Sequence, residues 1–234
     1  MRNKFLFVIP SPRDIAEVKQ PIVDLLYGKH DVLWMKYYPE LEAYQKARAY
    51  FLNSPKNYDY MCIIPDDLAI NDDGLRNLFR ELENPSLDMV QWGGNYPVLA
   101  GICNLSYINE EQMEKVAASI SSTLSQYLLT FRALEGMNDS VIKCAWIGFS
   151  CEFIHRSVLE RIDFRQFPEL GIDNTFSDSL IKKKIPQYIL KTARFTHYKG
   201  LSVKFKNALS TNPDVILTGV KKPHVIYVDS QVSE

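Results

Sequence analysis

Continuous apolar runs alternate along this chain with stretches in which apolar positions recur at helical spacing, a rhythm that predicts strands followed by helices. Residues 4–9 read as a buried strand broken by Pro10-Ser11-Pro12. Residues 14–26 then carry Ile15, Val18, Ile22, Leu25 and Leu26 on one helical face. A second such unit follows. Residues 31–38, rich in Val, Leu, Trp, Met and Tyr, predict a strand, and Pro39 opens the helical stretch LEAYQKARAYFL, which Asn53-Ser54-Pro55 ends. Residues 58–64 are apolar and aromatic throughout, as in a central strand covered on both faces, and the run stops at Pro65-Asp66-Asp67.

Further along, the pattern predicts a helix over 73–83, a strand over 87–92 ending in Gly93-Gly94-Asn95-Tyr96-Pro97, and a long helix over 110–134. A strand over 141–149, helices over 155–162 and 173–184, and a strand over 187–196 complete it, while residues 201–234 are weakly patterned and carry no assigned role. Strands alternating with helices predict an α/β fold with a mixed, mainly parallel central sheet flanked by helices. Ligands bind such sheets outside the carboxyl ends of the strands, where Asp66 and Asp67 fall. Without repeats or linker-like tracts, residues 1–234 read as one domain.

Composition narrows the partners. With 46% hydrophobic residues the chain can fill a core, and 27 Lys+Arg against 28 Asp+Glu leave no global field to attract nucleic acid or an anionic membrane. The apolar run Phe5 to Ile9 is too short for a signal-peptide core, and no stretch approaches the ~20 apolar residues of a membrane span, so a cytoplasmic enzyme is expected. Cys62, Cys103, Cys144 and Cys151 lack CxxC spacing, which predicts free thiols rather than a zinc site.

Two adjacent carboxylates after a buried strand repel each other and must stay solvated or find a cation. Mg²⁺ or Mn²⁺ takes oxygen ligands from one or two carboxylates plus substrate phosphates, which suits a nucleoside diphosphate as leaving group. The structural alternative is a solvated turn, with Asp72 and Asp73 capping the next helix. Pro65-Asp66-Asp67-Leu68-Ala69-Ile70, with its strand, resembles the Asp-x-Asp region of GT-A glycosyltransferases, particularly those of family 2. The resemblance implies that Asp67 holds the metal and that Asp66 meets the nucleotide or metal-bound water. Pro65 departs from the pattern, standing where a first Asp is often found.

The resemblance extends in both directions. Phe7-Val8-Ile9-Pro10-Ser11-Pro12 is similar to the family's opening strand and nucleotide-binding turn, which implies Pro10, Ser11 and Arg13 as nucleotide-sugar contacts. Lys46-Ala47-Arg48 resembles an Ala-Arg-Asn segment, with Ala49 in place of Asn, and adds Arg48. The segment from Trp146 to Arg161 resembles the stretch beneath the donor sugar and acceptor: Gly148 would let backbone approach a sugar, and Trp146 offers a ring face, with core packing as its alternative. Trp92 and Gly93 join these as acceptor or sugar contacts. Gly171-Ile172-Asp173-Asn174 resembles the Glu-Asp motif at a helix start, which implies Asp173 as the general base of an inverting transfer. Ile172 replaces the first acid, Asp178 is the rival base, and helix capping is the structural alternative for Asp173. The segment from Ile189 to Gly200 resembles a closing strand whose His joins the metal, here His197, a ligand that suits Mn²⁺ at least as well as Mg²⁺.

The implied activity is metal-dependent transfer of a sugar from a nucleotide-diphosphate sugar to a hydroxyl of a carbohydrate, glycoprotein or glycolipid acceptor. Residues 1–100 would bind the donor and residues 101–200 the acceptor, with a homodimer left open. A sugar nucleotidyltransferase would want a Gly-rich basic loop where Pro10-Ser11-Pro12-Arg13 stands, and no GxxxxGK[ST] is present. A carbohydrate-binding protein that keeps the fold without catalysis is the non-enzymatic alternative, favoured by the Pro65 and Ile172 departures. Retention of anomeric configuration would remove Asp173 from its role.

Overall fold

The computed structural model describes residues 3–11, 16–36, 38–105, 110–121, 127–167 and 169–198, together with the backbone of Val225–Asp229. Its first half follows the predicted rhythm: β1 (Phe5–Ser11), α1 (Ala16–Leu26), β2 (Asp31–Lys36), α2 (Glu40–Asn53) and β3 (Tyr60–Ile63). β1 pairs in parallel with β2 on one side and β3 on the other. Every residue of β3 is buried because the sheet is covered twice. Tyr60 and Cys62 join the cluster containing Val18 and Ile22 of α1, whereas Met61 and Ile63 join the cluster containing Ala43 and Phe51 of α2.

β4 (Leu68–Ala69), α3 (Asp72–Glu83), β5 (Val98–Cys103), α4 (Glu110–Glu114), β6 (Lys115–Ser119), β7 (Leu128–Thr130) and α5 (Phe131–Glu135) follow. Next come β8 (Val141–Cys144), β9 (Trp146–Ile147), β10 (Glu152–His155), α6 (Arg156–Leu159), α7 (Ile172–Lys182), β11 (Gln187–His197) and β12 (Val225–Asp229). The main sheet runs β12-β2-β1-β3-β10-β5-β11-β4, with β8 beside β11, and β7-β6-β9 form a second, small sheet. β10 is antiparallel to both neighbours, β3 and β5, so β12, β2, β1, β3, β5 and β11 all run one way. The result is the mixed, mainly parallel α/β sheet flanked by helices that the sequence predicts. No helix among the described residues is long and apolar enough to cross a membrane.

β5 and β10 are strands that the sequence pattern does not predict, and four further elements differ from it. The helix expected over 110–134 is cut short after α4, because Val116 and Ala118 are buried in a cluster with Ile102 and Ile147 and β6 pairs with β7 and β9. Tertiary burial overrides helix propensity there. The strand expected over 87–92 is instead a 3₁₀ turn, Val90–Trp92, that Gly93 and Gly94 close at φ 65° and 82°. Those angles suit glycine and leave Val90 80% exposed. The strand expected over 141–149 splits between the two sheets at Ala145, whose N–H donates to Ser119 O at 2.7 Å and whose carbonyl accepts from Gln187 Nε2 at 2.7 Å. Finally, the weakly patterned tail supplies β12, which adds in parallel to β2 at the sheet edge.

Long-range polar contacts lock the helices onto the sheet. Arg156 donates to the carbonyls of Phe51, Leu52 and Tyr58, which satisfies the orphan carbonyls at the end of α2, and its guanidinium stacks over Phe51 at 4.8 Å. Near the end of β11, Phe195 fills a slot that two glycines leave open. A Cβ at Gly74 would stand 2.5 Å from its ring, and one at Gly101 only 2.2 Å. Gly101→Ala should therefore lower stability by about 1–3 kcal/mol in a denaturant titration, the cost of overpacking a fixed core. Unchanged stability would mean that Phe195 can move aside.

Candidate functional site

Backbone pairing assembles the site at the carboxyl ends of the parallel strands. Ile64 N–H donates to Val8 O at 3.0 Å, so the chain leaving β3 toward Pro65-Asp66-Asp67 stays beside the end of β1 and Pro10. β4 then pairs with the end of β11, setting His197 opposite Leu68, and Tyr198 N–H donates to Asp67 O at 2.7 Å. This brings His197 Nε2 to 3.3 Å from Asp67 Oδ1. Asn104 grips the same histidine from the other side. Its side chain bonds both the N–H and the carbonyl of His197, and its own carbonyl stands 3.1 Å from Nδ1.

A carbonyl can only accept, so Nδ1 carries the proton and Nε2 faces the Asp67 carboxylate. A bare Nε2 lone pair against a carboxylate is repulsive. An Nδ1–H donated to a carbonyl is the usual support of a metal-binding histidine, and it leaves Nε2 as the ring atom that could ligate a cation beside Asp67. Asp67 and His197 are the two side chains here that could ligate a divalent cation together. Among the described residues, no group of three or more His, Cys, Asp or Glu side chains is placed to hold a metal ion.

The pair opens into a cavity of about 720 Å³ that gathers Pro10, Asp66, Asp67, Trp146, Gly148, Asp173 and His197 from the sequence-predicted set. Asp66 and Asp67 are buried, at 5% and 7% exposure, so the solvated-turn alternative does not describe them. Asp173 lies in the first turn of α7 behind Gly171, where a Cβ would come within 2.5 Å of its Oδ1. The same oxygen accepts from Asn174 N–H at 2.8 Å, which orients the carboxylate at the cavity wall. Trp146 is buried, and Gly148 leaves room for it: a Cβ there would stand 3.2 Å from Ala117 Cβ and 3.4 Å from the Trp146 ring.

Other predicted residues lie elsewhere. Arg48 does not reach the cavity; its Nε donates to Leu159 O and Ile162 O, and it pairs with Asp163, tying α2 to the end of α6. Trp92 and Gly93 sit on the 3₁₀ turn, and Trp92 lines a different hollow. Asp178 pairs with Lys182 on α7 and is absent from the cavity wall. Ser11 is the last residue of β1, and Arg13 lies outside the described residues.

Several contributors carry no motif. Glu40 and Tyr44, one turn apart on α2, both line the cavity. Burial, then the charges of Glu40, Asp173, Asp66 and Asp67, push the Tyr44 phenol well above its usual range, so it stays a neutral hydroxyl among carboxylates. Glu152 on β10 is 1% exposed and neither carboxyl oxygen has a hydrogen-bond partner. Burial, reinforced by the charge of Asp173, raises its pKa well above the carboxylate range, so it is held as a neutral acid. Among the described residues that line the cavity there is no Lys or Arg, while Glu40, Asp66, Asp67 and Asp173 all face it.

No protein-family model matches this sequence, and no curated protein matches it. Solved structures share its fold. A197 from STIV superposes with a TM-score of 0.56 at 17% identity, covering 83% of this chain and 85% of that one. GalNAc-T7, in a crystal structure with UDP, GalNAc and Mn²⁺, superposes with a TM-score of 0.55 at 8% identity over 85% of this chain; the match spans 44% of the GalNAc-T7 chain. S. aureus TarS 1-349 aligns at a TM-score of 0.44 and 13% identity, over 83% of this chain and 60% of that one. At these identities the superpositions on A197 and GalNAc-T7 show a shared GT-A-type α/β fold and nothing beyond the fold.

Glu152 generates a stability prediction with a definite sign. Its pKa is raised in the folded state, so the folded protein binds a proton that the unfolded chain releases above the ordinary glutamate range. Stability should therefore fall as pH rises above the ordinary glutamate range, and Glu152→Gln should remove that part of the slope. Parallel melting curves of both proteins across this window check it; identical slopes would mean that Glu152 is ionised in the native state.

Proposed function

We propose that this protein is a metal-dependent glycosyltransferase that moves a sugar from a nucleotide-diphosphate sugar to an acceptor hydroxyl with inversion. The observation that carries this reading is the Asp67–His197 contact at the mouth of a cavity walled by carboxylates. A diphosphate would be repelled by Glu40, Asp66, Asp67 and Asp173 unless a divalent cation came with it. Asp67 and His197 would hold that cation, Mn²⁺ or Mg²⁺, which when bound neutralises the leaving diphosphate.

The chain's own groups have the remaining roles. Asp173 accepts the proton of the acceptor hydroxyl as that oxygen attacks the anomeric carbon and the bond to the diphosphate breaks. Asn174, bonded to Asp173 through backbone and side chain, keeps the carboxylate turned for this step. Asp66 and Pro10 meet the nucleotide side, and Tyr44 offers a neutral O–H donor inside the acidic wall. Trp146 and Gly148 shape the sugar side. The acceptor is a carbohydrate or a glycan carried on protein or lipid.

A thermal-shift screen of UDP, GDP, CDP and dTDP sugars with and without Mn²⁺ tests donor binding, because a ligand of the native state raises its melting temperature. One donor should give a shift that EDTA or Asp67→Ala abolishes. Asp173→Asn should keep that shift while transfer falls by about 10²- to 10⁴-fold, the usual worth of a general base. A shift indifferent to EDTA would favour a carbohydrate-binding protein instead. Full transfer by the Asn variant would remove Asp173 from its role.

A further inference from the structure

At the opposite end of the sheet from the carboxylate cavity lies a hollow of about 610 Å³ with the reverse charge. Five separate segments build it: Trp92 closes the 3₁₀ turn, Lys143 is the exposed position of β8, Arg161 follows α6, Lys184 lies between α7 and β11, and Tyr188 faces it from β11. Lys143 and Tyr188 are register partners, so one cation and one phenol ring are fixed side by side across the sheet. Asp88 is the single carboxylate on the wall, and its Oδ1 accepts from Val90 N–H at 3.0 Å. Three cations against one carboxylate leave a local charge of +2 (3 − 1) on a chain whose net charge is −1.

Two observations mark this hollow as more than a solvated face. Among the described residues Lys143, Arg161 and Lys184 form no ion pair with a carboxylate, so none of the three charges on this wall is matched within the protein. Arg161 instead stands over the Trp92 ring at 5.9 Å. The second is backbone strain. Lys184 adopts φ +56° just after α7, with its N–H bonded to Ile181 O and that of Ile185 to Leu180 O. That left-handed position after a helix favours glycine, and a lysine there retains strain while projecting a cation toward the hollow.

We propose that this hollow is an exosite for an anionic saccharide, a short sugar segment bearing phosphate or carboxylate groups. The cations meet its charges, and the half-buried Trp92 ring borders the same space. The three exposed cations line one hollow, and the chain has no overall positive charge, so a compact ligand fits better than a nucleic-acid backbone. That the ligand is a saccharide rests on the transferase reading; that it is anionic does not.

Trp146 lines the carboxylate cavity and Trp34 is buried in the core, so the titration is run on Trp146→Phe, in which a ligand-induced change in tryptophan emission reports chiefly on Trp92. Phosphorylated, uronate-containing and neutral oligosaccharides of equal length, and a single-stranded oligonucleotide, are titrated in EDTA while that emission is followed. An anionic saccharide should bind and the neutral one should not, with the phosphorylated and uronate arms identifying the source of charge. The triple variant Lys143→Gln, Arg161→Gln, Lys184→Gln should weaken binding roughly ten-fold or more. Lys184→Gly should raise the melting temperature and still weaken binding, a combination that a merely structural lysine would not give.

Absence of saccharide binding, equal binding of the neutral sugar, unchanged affinity in the variants, or tighter binding of the oligonucleotide would each overturn the proposal. Mn²⁺-dependent donor binding, measured on the wild-type protein, reads the transferase assignment separately.

Discussion

The backbone hydrogen bond from Tyr198 N–H to Asp67 O, 2.7 Å long, is what turns two distant stretches of chain into one site. With the two-residue pairing of β4 and β11 it fixes the separation of Asp67 and His197 before any ligand arrives. The supports behind it are equally specific. Asn71 caps α3 through Gly74 N–H and also donates to Arg194 O. Phe195 fills the space that Gly74 and Gly101 leave, and Asn104 holds His197 by backbone and ring. Each link acts on main chain or on a packed ring, so the imidazole is oriented without relying on solvent-exposed side chains.

A wall of carboxylates is costly to fold, and the structure offsets part of that cost with helix termini. Glu40 opens α2 and Asp173 sits in the first turn of α7, where the positive ends of the helix dipoles favour negative charge. Tyr44 and Glu152 carry ionisable groups into the same region but are kept neutral by burial. A cavity arranged this way concentrates negative potential on one wall. Such an environment suits a metal-accompanied diphosphate, and it contrasts with the cationic hollow around Lys143, Arg161 and Lys184.

The parts of the fold legible in the sequence are those whose periodicity agrees with their final burial. β3 reads as a central strand because all of its residues are buried, and Pro39 and Asn53-Ser54-Pro55 bracket α2 as written. Residues 110–134 mislead because helix formers there are recruited by long-range pairing of β6 with β9, which no local pattern encodes. Residues 87–92 mislead because strand-forming residues lie on a turn that Gly93 closes. Within the site, Asp67, Asp173 and His197 were findable because each ends a strand or opens a helix. Glu40, Tyr44 and Asn104 were not, since their roles arise from spatial neighbours. Glu152 looked like an ordinary polar residue in SCEFIH, and only its position between β3 and β5 reveals that it is buried. Arg48 illustrates the converse, a plausible ligand contact whose guanidinium is spent on the carbonyls of Leu159 and Ile162.

The central claim is that Asp67 and His197 jointly hold a divalent cation that brings a nucleoside diphosphate into the acidic cavity. The most direct test is electron paramagnetic resonance of Mn²⁺ added to the protein with a nucleoside diphosphate, read for hyperfine coupling to a histidine nitrogen. The account predicts a nitrogen coupling that disappears in His197→Ala, together with loss of bound Mn²⁺ in Asp67→Ala. Tightly bound Mn²⁺ with no histidine coupling, or a coupling that survives His197→Ala, would contradict it.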